Sequence, residues 1–457
     1  MSDNILKAQK ELHRIQPMTN ASITILDDVS PSNKQGLLSQ WTIAAKDNFV
    51  TKGILTTAGS KILSNYIGVY DATAIKKIKE EGGVIVAKTA LDELGMGGTG
   101  LTSFTGPVYN PYNPKHQAGG SSSGSAVVVA AGAVRMALGS DTGDSVRKPA
   151  SFCGIVGVKP TYGRISRYGV IPYASSLDHV GYFTTNVLDA AVTLEALSGF
   201  DPLDPTTIIE PLIPFASDLT GDLKGKKIGI LKNVIQHIDH AETCDLFNEL
   251  LRKIQDTGAE VVEVEINEDL LKTALPTYYI IANCEATANH ANLTAVNFGL
   301  RQPGSSLEEI MKVSRTIGFN PLLRKRFVIG SYGLKDENQE FIFKKAQKVR
   351  RLLVQELSHA LDHVDALIAP ASSTIAPKIG DDNIDKLSAK HLISENYMVL
   401  GNFSGYPSMT IPMGYIQDMP IGVNITTKAK TEALMFDIAL GIEHLTGLKD
   451  QIKKVNV

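Results

Sequence analysis

The chain predicts an α/β fold, one sheet with helices on both faces, on three observations. Short β-branched runs alternate with amphipathic helical stretches over most of the sequence, the order expected of strands layered between helices. Glycines stand where the helical patterns stop, at Gly82-Gly83, Gly199 and Gly258, as helix C-termini favour. A largely apolar run lies between two Gly/Ser turns at residues 119–145, which suits elements buried in the middle of such a layer.

The elements follow in order. The start, MSDNILKAQKELHRIQ, reads as a charged amphipathic helix within an N-terminal segment 1–35. Trp41–Lys46 reads as a strand. Asp71–Glu81 reads as a helix with Asp71 as its N-cap. Val84–Ala87 is β-branched and reads as a strand, Ala126–Ala133 as a buried helix and Val134–Leu138 as a buried strand. Val187–Leu197 reads as a helix. The stretch Asp201–Asp222 is rich in Pro and Asp and reads as a surface excursion spanning 201–225. Lys227–Leu231 and Glu260–Ile266 read as strands around a helix, Glu242–Thr257. Phe341–His363 reads as a long helix running into a strand, Ala366–Ala369.

Composition removes several classes. The 457 residues are 43% hydrophobic and 20% charged, with a net charge of −3. That balance carries no basic footprint for nucleic acid, so an RNA would be held locally or by another subunit. Cys153, Cys244 and Cys284 form neither a disulfide framework nor a CxxC site, which points to a reducing, cytoplasmic compartment. Ala126–Leu138 is too short to cross a bilayer and holds Arg135, so no membrane association is expected. The N-terminus has neither the apolar core of a secretory signal nor the Arg-rich pattern of a transit peptide. No His/Cys/carboxylate cluster has ligand spacing, so no metal is expected in this chain.

The chemistry concentrates in His116–Arg147. Two small-residue turns, Gly119–Ser125 and Gly139–Ser145, each present a serine, Ser121 and Ser145. No lysine follows Gly124, so this is not a P-loop, and the glycine spacing does not fit a dinucleotide fingerprint. Serine is a weak nucleophile until a base takes its proton. His116 and His179 read as surface or packing residues, because no nucleophile-elbow GxSxG accompanies them. Lys46 is the better base: burial in an apolar strand lowers a lysine pKa toward the range a general base requires. The competing reading pairs Lys46 with its neighbour Asp47.

The segments GGSSSGS and LGSDTGDSVRKPASFCGIVGVKPTYGR, with WTIAAKDNF upstream, resemble the amidase signature family. The resemblance covers nearly the whole chain and implies that family's fold, a central mixed sheet covered by helices. It implies one amidase domain over 1–457, with a catalytic core in 36–200 and substrate-side helices in 226–457. It implies Ser145 as nucleophile, and Ser121, following a cis peptide bond, as the bridge to Lys46. Backbone N–H groups of Thr142, Gly143, Asp144 and Ser145 would form the oxyanion hole. Within the family, KPTYGRISRYGVIPYASSLDHVG, SLEEIMKVSRTIGF and KKAQKVRRLL resemble the A subunits of glutamyl-tRNA(Gln)/aspartyl-tRNA(Asn) amidotransferases. That implies a glutaminase supplying ammonia to B and C partner subunits, with mischarged tRNA, ATP and Mg²⁺ held by the B subunit. It also implies Arg350 for the glutamine α-carboxylate and Glu395 for its α-ammonium.

Three positions depart from the family pattern. Ser123 and Asp144 each replace a glycine, and the usual RxDGxxYG tract is Asn292–Gly299 here, without its charges or tyrosine. The expected resolution at Asp144 is a carboxylate turned away from the hole and neutralised by Arg147 or Lys148. Two rival readings stand beside the glutaminase: a stand-alone amidase for a small amide, and a catalytically inactive scaffold.

Overall fold

The computed structural model describes residues 1–211, 213–381 and 385–455. Its strands are β1 (Ser22–Ile25), β2 (Thr42–Lys46), β3 (Val84–Thr89), β4 (Met136–Asp141), β5 (Val156–Lys159), β6 (His179–Thr184), β7 (Lys227–Leu231), β8 (Glu260–Val264), β9 (Ala366–Pro370), β10 (Ser408–Ile416) and β11 (Met419–Thr426). They join in one sheet in the order β1-β3-β2-β4-β6-β5-β10-β11-β9-β7-β8. The sheet is mixed. β3, β2 and β4 are parallel, as are β8, β7 and β9, while the strands between pair antiparallel.

Strand periodicity divides the core. In β2 and β4, Ile43, Ala45, Met136 and Leu138 join one buried cluster, which holds helix Val187–Leu197. Ala44 and Ala137 face the other way, into the cluster around helix Ser123–Ala130. Successive side chains point to opposite faces, so small residues on the second face admit that helix, every residue of which is buried. This accounts for the apolar run between the turns.

Several boundaries differ from expectation. The helix expected at Asp71 runs Thr73–Glu80, and Ala72 is its N-cap without a side-chain bond. Asp71 instead accepts from Lys52 N and from Lys79 Nζ at 2.9 Å each. The long helix expected from Phe341 is a π-turn, Glu340–Lys344, followed by helix Lys345–Leu361. The excursion after Asp201 holds no helix or strand up to β7 (its residue 212 lies outside the described residues), yet it is anchored inward. Asp201 and Asp204 are buried; Asp201 accepts from Ser166 Oγ at 2.6 Å and Asp204 from Arg167 N at 2.8 Å.

Residues 268–334, where no element was expected, form three helices: Glu268–Asn289, Leu307–Gly318 and Pro321–Leu334. Each starts at a side-chain N-cap, Asn267, Ser306 and Asn320, bonded to the N–H three residues on. The first and third, with helix Lys345–Leu361, build a separate apolar cluster that takes in Leu231, Leu367 and Ala369 of the sheet.

Candidate active site

Lys46 closes β2 and is fully buried. Its Nζ lies 2.8 Å from Ser121 Oγ, 2.9 Å from Ser122 Oγ and 2.8 Å from Ser140 Oγ. Burial lowers its pKa from 10.5 to about 7, against the opposing pull of Asp92, Asp141 and Asp178. Asp47 does not pair with it. The Asp47 carboxylate meets Lys88 of β3 at 2.9 Å and accepts from Thr57 N and Oγ1. The amine at the end of β2 is therefore surrounded by hydroxyls rather than by a carboxylate. Ser122 Oγ donates to Ser140 O at 3.1 Å, so Lys46 donates to Ser122, which leaves the amine lone pair for another hydroxyl.

The first turn needs its glycines for space. Gly119 and Gly120 have φ of +80° and +52°, a region that favours glycine. A Cβ on Gly119 would stand 2.5 Å from Phe152 Cδ2, and one on Gly120 2.4 Å from Pro149 Cδ. The turn is thus clamped onto helix Arg147–Cys153, and Ser122 N donates to Ser145 O at 3.2 Å, holding the two turns side by side. The cis bond implied before Ser121 is absent: no described peptide bond is cis. Ser121 follows these two positive-φ glycines and meets Lys46 Nζ at 2.8 Å. Ser123 opens helix Ser123–Ala130, and its Cβ is accommodated because Gly100 lies opposite; a Cβ there would come within 2.7 Å.

The second turn is organised by a buried ion pair. Arg147 Nη2 donates to Asp141 Oδ1 at 2.9 Å, and Asp141 Oδ2 accepts from Val146 N at 2.9 Å. Although burial pushes the Asp141 carboxyl up, Arg147 holds it well below the usual carboxylate range. Thr142 Oγ1 donates to Asp178 at 2.7 Å. Burial raises the Asp178 pKa to about 6. Between these anchors, the N–H groups of Thr142, Gly143, Asp144 and Ser145 have no acceptor among the described residues. Thr142 and Ser145 are buried. Buried N–H groups are nearly always paired, so four in succession form a place for an incoming anion or oxyanion. Ser145 Oγ makes no hydrogen bond among the described residues, so the Ser121–Ser145 link is not closed in this structure.

The turn opens on a cavity of about 770 Å³. Gly143 and Asp144 form one wall, Tyr278, Tyr279 and Leu275 a second, and Arg326, Lys148 and Glu395 supply charge. Arg326 Nη1 donates to Tyr173 Oη at 2.8 Å and its guanidinium lies 5.4 Å from the Tyr279 ring centre. Glu395 reaches the cavity too, but Lys148 Nζ holds it at 3.1 Å and Ser373 bonds it through N and Oγ. Against burial, Lys148 keeps Glu395 below its ordinary pKa. Asp144 differs from expectation. Arg147 is engaged by Asp141 and Lys148 by Glu395, and Asp144 has no ion pair among the described residues. Burial raises its pKa, with Lys148 opposing.

Arg350 is not a cavity residue. Its guanidinium donates to Phe403 O at 2.9 Å and 3.1 Å and to Ser176 Oγ and O at 2.8 Å and 3.0 Å. Those bonds tie helix Lys345–Leu361 to helix Val399–Ser404 and to the loop before β6. Of the two histidines, His116 bonds Ala376 O, and His179 bonds Leu177 O with burial holding its pKa well below normal. Neither hydrogen-bonds to a serine of the turns among the described residues.

The amidase family matches residues 3–436. The chain belongs to that family. The A subunit of glutamyl-tRNA(Gln) amidotransferase from Cyanothece sp. is 38% identical over 458 residues, covering 97% of this chain and 94% of its own. The protein of the same name from Thermotoga maritima is 39% identical over 432 residues, 94% of this chain and 90% of its own. The crystal structure of that Thermotoga maritima protein superposes with a TM-score of 0.85 at 35% identity, covering 99% and 94% of the two chains. The native peptide amidase of Stenotrophomonas maltophilia gives 0.84 at 26%, covering 99% and 96%.

Sequence reasoning about this amidase missed Arg326, Tyr278, Ser122, Ser140 and Asp178. Arg326 sits in a run of three cations, Arg324-Lys325-Arg326. The Asn320-Pro321 start marks its helix in the sequence, but which of the three cations turns inward depends on the partner helix. Nothing local marks Ser140 or Asp178.

Proposed function

We propose that this chain is the amidase component of a tRNA-dependent amidotransferase, hydrolysing glutamine to release ammonia. The observation that carries the reading is the buried Lys46 amine, held near neutrality by desolvation and in contact with Ser121 beside four open N–H groups. A neutral lysine can take a proton at physiological pH. The relay requires the Ser145 hydroxyl to bond Ser121, whose turn is held beside that of Ser145 by the Ser122 N–Ser145 O bond. Lys46 takes the Ser121 proton as Ser121 takes that of Ser145, and Ser145 Oγ bonds to the amide carbon. The N–H groups of residues 142–145 receive the oxyanion, each such donor being worth roughly 10²–10³ in turnover. The C–N bond then breaks, the proton returns by the same path to nitrogen, and ammonia leaves. Water hydrolyses the Ser145 ester and glutamate departs.

Arg326 suits the substrate α-carboxylate better than Arg350 does, because it lines the cavity and has no carboxylate partner among the described residues. By likeness to the A subunits, the partners are B and C subunits, with mischarged tRNA, ATP and Mg²⁺ on the B subunit, in the cytoplasm. The test is glutamine carrying carbon-13 at its amide carbon, quenched during turnover and mapped by mass spectrometry. A glutamyl ester on Ser145 supports the reading. Ammonia release without that ester, or a Ser145→Ala variant that retains it, refutes it.

A further inference from the structure

We infer that the Asp144 carboxylate receives the α-ammonium of the substrate, making the residue before the nucleophile a specificity determinant. The inference rests on the glutaminase reading and deepens it. Glu395 is poorly placed for that role, since Lys148 and both donors of Ser373 already engage its carboxylate. Among the other carboxylates at the cavity, Asp239 pairs with Lys390 and Asp385 accepts from Leu387 N. Asp144 lines the same cavity with no side-chain hydrogen bond and no ion pair among the described residues.

Among the described cavity residues, Asp144 is thus the carboxylate with neither a side-chain hydrogen bond nor an ion pair, and Arg326 is a guanidinium without a carboxylate partner. A zwitterionic amino acid carries the matching pair of charges. Tyr278 stands between them: its ring packs on Gly143, where a Cβ would lie 3.1 Å from Tyr278 Cζ, and the charges of both Arg326 and Asp144 act on its phenol. The position along the chain also fits. Consecutive Cα atoms are about 3.8 Å apart, and the α-carbon of glutamine is three bonds from its amide carbon. A carboxylate one residue before the nucleophile can thus reach the ammonium while Ser145 reaches the carbonyl. A cation seated there also neutralises a carboxylate in the turn itself that has no ion pair among the described residues, so the bound substrate removes a charge that would oppose its own oxyanion.

The experiment compares L-glutamine with 4-carbamoylbutanoate, which has the same amide and carboxylate but no α-ammonium. Asp144→Asn keeps the shape of the side chain and removes its charge. The ratio of kcat/KM for glutamine over 4-carbamoylbutanoate should fall by about tenfold or more, the scale of one charge-assisted contact, mainly through KM for glutamine. In a Ser145→Ala background, which holds ligand without turnover, the Kd for glutamine should weaken by a similar factor. A ratio within about twofold of wild type overturns the inference, as does an Asp144→Gly variant that gains turnover on both amides alike. A wild-type chain that hydrolyses other amides but neither of these two refutes the glutaminase reading itself, which keeps the two failures distinct.

Discussion

Replacing Lys46 with methionine tests the base and the energetic consequence of burying it. Desolvation brings the amine from 10.5 to about 7, and at ~1.4 kcal/mol per pH unit this disfavours the cation in the folded chain by ~5 kcal/mol. An amine of ordinary pKa would be ~0.1% neutral at pH 7.5, whereas this one is about three-quarters neutral. Wild-type ammonia release from glutamine should rise with pH through a midpoint of about 7 and level off above it. The methionine variant should lose turnover by several orders of magnitude and lose that limb. Stability carries an independent signature. Between pH 7 and 10.5 the unfolded chain binds a proton at this lysine that the folded chain has released, so stability from this group rises with pH across that window. It rises by ~1.4 kcal/mol per unit. Methionine has no such term, so its stability relative to wild type should decline by that slope between pH 7.5 and 9.5 in urea titrations. Taking the difference between the two proteins removes the parallel contributions of Lys88 and Lys159, whose pKa values burial also lowers. A wild-type rate with no limb near pH 7, or two stability curves of equal slope, refutes the reasoning.

Other outcomes follow from the same geometry. Arg326→Ala should raise KM for glutamine by roughly tenfold to a hundredfold in steady-state kinetics, the scale of a lost carboxylate contact. Arg350→Ala should instead lower unfolding stability by ~1.5–3 kcal/mol through its abandoned carbonyl partners, and a KM shift as large as that of Arg326→Ala would return the carboxylate to Arg350. Gly120→Ala should cost ~2 kcal/mol or more, from its positive φ and the contact with Pro149; thermal unfolding measures it, and an unchanged Tm refutes the clamp. Ser122→Ala should slow turnover while sparing the fold, because Lys46 loses the acceptor that orients its lone pair; a rate equal to wild type assigns Ser122 to packing alone.

Features that depend on near neighbours along the chain are readable from residue order. Helix Val187–Leu197 and strand Lys227–Leu231 fall at the expected residues, because periodicity and terminal signals are local. The glycine turns and the lysine at the end of β2 are also legible, since residue type and burial pattern sit together within a few positions. Which charges meet is settled only by packing. Asp47 is adjacent to Lys46 but pairs with Lys88; Asp144 is near Arg147 and Lys148, yet those cations go to Asp141 and Glu395. Arg350 and Arg326 lie in neighbouring helices of similar basic character, and only Arg326 faces the cavity. A buried charge pairs with the group that best repays its desolvation. Helices and strands far apart in sequence settle that competition when they pack, so the elements are legible in the chain and their ion pairs are not.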